Sequence, residues 1–192
     1  MPTDPTNIFI PQMARLWLAP VGTVAPDGPT IAMPTGWYDV GLFTPDSLQW
    51  ATDPGFETVN SHQSNFPTRR FQTTDAATVQ VDLQEWKRQS FQAVYGGGTF
   101  TTVSPSGGGT PYHKFTPPAV GARTETAVCI ELADGTNHLR RLIPRAQQIE
   151  GVTQSFAKTS ESTLPLRLAV LGSDVGAAFY DISNISSMAP AA

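Results

Sequence analysis

Along much of this chain apolar and polar residues alternate over short stretches, the period of two that marks a strand with one buried face. ARLWLAP (14–20) places Leu16 and Leu18 on one side. WYDVGLFTPDSLQW (37–50) reads as two short strands broken by the turn signal Thr44-Pro45-Asp46. In TVQVDL (78–83), Val79, Val81 and Leu83 share a face, and Gln80 and Asp82 take the other. The segment 126–146 carries the strongest hairpin signal: Val128, Ile130 and Leu132 on one face, the turn pair Asp134-Gly135, then a return strand HLRRLI. IEGVTQSFAKTS (149–160) looks strand-like, and LPLRLAVLG (164–172) alternates through Leu164, Leu166, Leu168 and Val170.

The period changes at Gln84. Projected at about 100° per residue, Leu83, Trp86, Phe91, Ala93, Val94 and Tyr95 fall on one arc, opposite Glu85, Arg88, Gln89 and Gln92. This predicts an amphipathic helix of about three turns that lays Trp86, Phe91 and Val94 on the sheet. Gly96–Gly98 end it, because glycine adopts a left-handed cap without steric cost.

The rest is punctuation. Residues 21–36 form a Pro/Gly loop, 52–70 a polar, turn-rich loop, and 99–124 a second Gly- and Pro-rich segment with at most a short strand or two. The expected organisation is an N-terminal arm (1–13), one domain (14–182) and a C-terminal arm (183–192). The fold class expected is mainly β: a β-sandwich or partial barrel of roughly eight to ten strands with one flanking helix and extended terminal arms.

Composition supports strands over helices. Only 15% of the 192 residues are charged, and their place is taken by 23 threonines, 17 prolines and 16 glycines, which suit pleated surfaces and turns. So little charge also suggests that much of the surface meets other protein. The net charge of −4 comes without a basic patch larger than Arg69-Arg70 or Arg140-Arg141 with Arg145, too few cations for sequence-independent nucleic-acid binding. Cys129 is the sole cysteine, in the apolar run AVCIEL, and reads as a buried core residue. No apolar run approaches the ~20 residues of a membrane helix. MPTDPTNIF lacks a signal-peptide pattern, so the expectation is a chain kept in the cytosol or released without the secretory route.

Little points to chemistry. A phosphate-cradling loop puts its glycines between strand and helix, facing the helix N-terminus. Here Gly96–Gly98 follow the helix C-terminus, whose partial negative charge repels phosphate. Gly107–Gly109 lack a following Lys-Ser or Lys-Thr. His62, His113 and His138 are far apart in sequence and none has a partner at metal spacing; no Gly-x-Ser-x-Gly occurs. The reading is of a non-enzyme without cofactor or metal. Trp37, Tyr38, Phe43 and Trp50 would suit a carbohydrate-binding sandwich if presented in a row; packing in the core or a subunit contact competes with that reading.

An ordered set of features carries a resemblance: RLWLAPVGTVAPDGP, then GWYDVGLFTPDSLQW, then FPTRRFQTTDAATVQVDLQEWKRQSFQAVYGGG, then TAVCIELADGTNHLRRLIPRAQ, then STLPLRLAVLG. Together they cover most of residues 14–172, and the chain resembles the major tail protein, the tail tube subunit, of long non-contractile-tailed bacteriophages, those of actinobacterial hosts in particular. The segment 99–124 has no counterpart in the resemblance. The resemblance implies a virion structural protein, assembled in the host cytoplasm into six-membered rings whose inner sheets join into a closed barrel. Rings stack into a hollow conduit that carries DNA. The partners it implies are further copies of the chain, a tape-measure protein, a tail terminator and distal tail proteins, with DNA passing through unbound and no membrane.

Two sets of residues follow as expectations. The polar strand face, Gln80 and Asp82, lines the lumen, with a solvated outer face or a ring–ring contact as the competing placements. Phe9, Ile10, Phe56, Phe66, Arg69 and Arg70, on the arm and the 52–70 loop, make inter-ring or inter-subunit contacts. A carbohydrate-binding module and a virion decoration protein remain the alternatives.

Overall fold

The computed structural model of the protein describes residues 7–173 and 176–190. Its elements run β1 (Met13–Pro20), β2 (Tyr38–Asp39), β3 (Gln49–Val59), β4 (Arg69–Leu83), α1 (Arg88–Val94), β5 (Thr99–Val103), β6 (Tyr112–Thr116), β7 (Glu125–Asp134), β8 (Asn137–Gln148), β9 (Leu164–Val170) and β10 (Tyr180–Ser183). The mainly β class with one α-helix is as the sequence pattern predicts.

Eight strands form one antiparallel sheet in the order β2-β1-β7-β8-β9-β4-β3, with β10 also on β8. Strand β8 divides one edge between two neighbours: Leu139–Leu142 pair with β10, and Ala146–Gln148 with β9. The alternation in each strand decides what the sheet encloses. Leu16 and Leu18, Val79, Val81 and Leu83, Val128 and Ile130, Ile143, and Leu164, Leu166 and Leu168 meet in one buried cluster. A sheet whose distant strands share a core must curl on itself. Each of these side chains, when fully buried, contributes roughly 1.5–3 kcal/mol.

The curl nearly closes. Residues 40–44 bridge the gap between β1 and β4: Val40 N–H donates to Leu16 O, Gln84 N–H to Leu42 O and Thr44 N–H to Asp82 O, and Phe43 pairs with Leu83. Gly41 sits in this seam at φ +91°, where a Cβ would lie 2.6 Å from the Glu85 carboxylate. Only glycine fits both the conformation and the space. The Glu85 carboxylate accepts the Leu42 N–H at 2.8 Å, and that bond explains a first correction. The helix does not begin at Gln84: Gln84 and Glu85 are tied to Leu42 across the seam, a tight turn brings Lys87 N–H onto Glu85 O, and α1 is the seven residues Arg88–Val94, about two turns. Trp86 therefore precedes the helix.

The segment 52–70 is likewise not a loop. β3 and β4 pair from Gln49↔Gln80 out to Val59↔Arg69, leaving 60–68 as the turn. Polar residues lie on both faces here, so no apolar period marks the strands; threonine and valine supply the β preference. Pro54 is tolerated because β3 is an edge strand. A one-residue bulge leaves Thr73 unpaired between Gly55↔Thr74 and Phe56↔Gln72. Residues 149–160, expected as a strand, form none. Residues 99–124 contain the β5–β6 hairpin, a separate two-stranded sheet. The arm boundaries also shift: Met13 opens β1 and Ser183 closes β10. Residues 1–6 of the N-terminal arm and 191–192 of the C-terminal one lie outside the described residues.

Candidate assembly site

The two faces of the curled sheet are treated differently. Outside β1, β7 and β8, residues 21–36 cover the sheet and are held down by a buried ion pair. Arg140 Nη2 donates to Glu131 Oε1 at 2.8 Å, with both side chains at most 10% exposed. Trp17 Nε1 donates to the other Glu131 oxygen, and Arg140 Nη1 donates to the carbonyls of Gly28 and Ile31. A charge buried this deeply requires such partners. Cys129 lies under the same cover, and burial pushes its thiol up to about 12, which keeps it protonated and unreactive.

On β3, β4 and β9 the face opposite the core carries Gln49, Ala51, Thr78, Gln80 and Asp82, continued by Pro165, Arg167 and Ala169 through the pairs Gln80↔Arg167, Asp82↔Pro165 and Thr78↔Ala169. Gln80 is exposed and Asp82 half-buried, its N–H accepted by Ser47 Oγ. Arg167 is paired with Glu150 at 3.3 Å. The residues expected to line a lumen thus sit on a polar and continuous strand face.

Beyond Thr52 and Ala77 the β3–β4 hairpin leaves the sheet, since β9 pairs with β4 only over Thr78–Leu83. The hairpin becomes a two-stranded arm whose outer edges have no strand partner among the described residues. At about 3.3 Å per residue it reaches roughly 25–30 Å. Its outer half exposes Phe56, Val59, Phe66 and Phe71, with Phe66 at 79%. Strict alternation from Val79 would put Arg69 and Phe71 on the face of Trp50; the bulge puts Gln72 and Arg70 there instead. Arg70 accordingly lies over the Phe56 ring at 5.7 Å. Phe56, Phe66, Arg69 and Arg70 thus all lie on the arm, Phe56 and Arg70 in contact on one face and Arg69 on the other. Phe9 and Ile10 precede β1, where Ile10 N–H donates to the Asp134 carboxylate. β1, β4 and β8 run the same way, each separated from the next by one antiparallel strand, so the N-terminal segment and the arm leave the same end of the barrel.

Val94 is fully buried, and Phe91 packs on the core and on Phe100 and Phe115 of the β5–β6 hairpin. Trp86 is half-exposed, set edge-on to Phe91 with its Nε1 donating to Ser162 O. Tyr38, Phe43 and Trp50 pack against the core and form no exposed row, and the Trp37 indole donates to Val24 O. Among the described residues no group of three or more His, Cys, Asp or Glu side chains is placed to hold a metal ion.

Two arginines were not singled out from the sequence. Arg140 and Arg141 are neighbours in a strand, so one must face the core. Arg141 does: it lies over Trp50 at 4.6 Å and Phe179 at 5.4 Å and makes a two-pronged bond to Asp181, which raises its pKa. The doubled arginine in HLRRLI was the available signal.

A sequence model of a family described as phage tail tube protein matches residues 1–192. The chain belongs to that family. No curated protein matches it. As a tail tube protein it is structural rather than enzymatic, a component of the virion tail that assembles with copies of itself and other tail proteins.

Proposed function

We propose that this tail tube protein closes into rings, of six copies by the resemblance noted above, and that the rings stack into a hollow conduit for DNA delivery. Assembly takes place in the host cytoplasm around a tape-measure protein, between a distal tail protein and a terminator. The β3–β4 arm carries this reading: a two-stranded ribbon whose two edges are open among the described residues, and which is exposed along its outer half and tipped with phenylalanines and arginines. In a lone monomer such edges invite uncontrolled pairing; lateral pairing between copies satisfies them. A head-to-tail contact that does not close extends into a filament.

The face bearing Gln80 and Asp82 lines the lumen. Its polar character and lack of a free cation row suit a duplex that must slide, since each phosphate contact with Lys or Arg strengthens sticking. Screening over ~8–10 Å still leaves a narrow channel partly within reach of Asp82. Negative-stain microscopy of the concentrated protein, beside a variant whose residues 53–76 are replaced by a two-residue turn, tests the reading. The whole chain should give rings or tubes and the shortened one monomers; tubes from both would overturn it. In phage carrying Asp82→Lys, tails should form while DNA release slows. Normal release from normal tails would remove Gln80 and Asp82 from the lumen.

A further inference from the structure

Two ribbons of this chain end in open strand edges, and prolines trim both edges to the same length. β5 and β6 pair only with each other. Apart from that pairing, Tyr112–Thr116 make no backbone hydrogen bond among the described residues. Pro111 and Pro117 flank β6, and proline interrupts strand pairing, so its free edge is limited to five residues. On the arm, Pro54 interrupts the β3 edge in the same way, and five residues, Gly55–Val59, carry it on to the turn. The charges of the two ribbons are opposite. From Trp86 to Thr124 the chain carries Lys87, Arg88, Lys114 and Arg123 and no acid. β3 carries Asp53 and Glu57 and no cation, whereas the outer half of β4 holds Arg69 and Arg70. Glu57 and Lys114 are both exposed, and neither makes an ion pair among the described residues.

The ribbons also leave opposite ends of the barrel. The arm runs out past the N-terminal end of the core-facing part of β4. The hairpin rises from Gly96–Gly98, which line a pocket of about 440 Å³ beside α1 together with Pro20 and Gln148, the C-terminal residues of β1 and β8. β1, β4 and β8 are parallel, so this is the end away from the arm. No arm pairs with its own hairpin, but copies stacked head to tail bring the arm of one to the hairpin of the next. Side-chain parity then favours one register. Phe115 faces Phe91 of α1, which leaves Tyr112, Lys114 and Thr116 on the other face of β6. On β3, Glu57 and Val59 share a face and Phe56 takes the other. Run antiparallel, the two edges set Glu57 opposite Lys114, Val59 opposite Tyr112 and Phe56 beside Phe115, each a pair of the kind that stabilises neighbouring strands. Run parallel, only the ion pair survives.

We propose that the β3 edge at Gly55–Val59 adds to the β6 edge at Tyr112–Thr116 of a second copy, joining the two ribbons into one antiparallel sheet, with Glu57 and Lys114 as the ion pair that selects the partner edge. The proposal rests on the reading of the arm as an assembly element and names what receives it. Full-length Glu57→Lys, Lys114→Glu and the charge-exchanged double variant are compared by sedimentation velocity for the concentration at which tubes appear. Each single reversal should raise that concentration about tenfold, and the double should return it close to the wild-type value. Unfolding midpoints should be equal in all of them, since both side chains are exposed. As a second measurement, Val59→Cys and Tyr112→Cys proteins are mixed under mild oxidation. A disulfide between the two species supports the pairing, and Cys129 is too buried to compete. A double variant that assembles no better than the single ones, or tubes without that cross-link, would overturn the pairing of arm and hairpin and leave the arm reading intact. Wild-type assembly by the arm-shortened chain would overturn both.

Discussion

Strand β4 is two strands in one. Over Thr78–Leu83 it lies between β3 and β9 with Val79, Val81 and Leu83 sealed in the core. Over Arg69–Ala77 it has one strand neighbour among the described residues, and every residue but Ala77 is exposed. Backbone pairing continues through both halves, so hydrogen bonding does not separate them. What separates them is burial: the inner half is held by its contacts in the core, and the outer half leaves its side chains exposed, free for the assembly role proposed above. The stability of this protein and its capacity to assemble should therefore be damaged by different mutations.

The widest contrast is between deletions of apolar side chains on the two halves. Leu83→Ala should cost about 2–5 kcal/mol in urea unfolding of the monomer. Phe71→Ala, a larger truncation, should stay within about 0.5 kcal/mol while suppressing tubes in negative stain. An equal loss from both would mean that the arm packs on its own barrel. A smaller effect is expected at the seam. Gly41→Ala forces a left-handed alanine and displaces Glu85, at about 1–2 kcal/mol by the same measurement.

Labelling separates the halves without changing stability. A cysteine placed by Thr74→Cys should react with a thiol reagent at the rate of a free thiol, whereas Cys129, raised to about 12 by burial, should react only as fast as the barrel opens. Matching rates would erase the distinction. The smallest effect concerns acid. The Glu85 pKa is lowered, by Lys87 first and then by the Leu42 N–H. A carboxylate with a depressed folded pKa contributes stability above its unfolded pKa and loses it as pH falls through the folded one. Glu85→Gln should slightly flatten the acid limb of the stability profile below the ordinary carboxylate range. No change in that limb would show that the seam does not depend on the charge.

The same division explains what the sequence disclosed. Strands with one buried face announced themselves: Leu16/Leu18, Val79/Val81/Leu83 and Leu164/Leu166/Leu168 alternate because the core demands it. The outer arm did not, because a ribbon solvated on both faces needs no alternation, and Pro54-Gly55 looked like a turn. The helix starts later than its pattern predicts because an amphipathic pattern is blind to the Glu85–Leu42 bond that keeps Gln84–Lys87 out of the helix. The polar face of Gln80 and Asp82 was readable from parity alone. The pocket beside α1 was not, since its walls come from six separated stretches of chain, around Ala19, Tyr38, Gln92, Glu125, Gln148 and Leu168.

The unpaired Thr73 has a consequence in the language of reading frames. Side chains along a strand are read in twos, so one supernumerary residue acts as a phase shift for everything beyond it. Removing that single codon would restore strict alternation and leave Arg70 and Gln72 on the side they now hold, because Phe56 and Thr58 of β3 already pair with them. The aim of the tip is thus set by its pairing with β3 and not by the exact length of β4. One-residue insertions and deletions near the root of the arm can therefore be absorbed as a bulge or its loss, with both the tip and the barrel that carries it staying in frame.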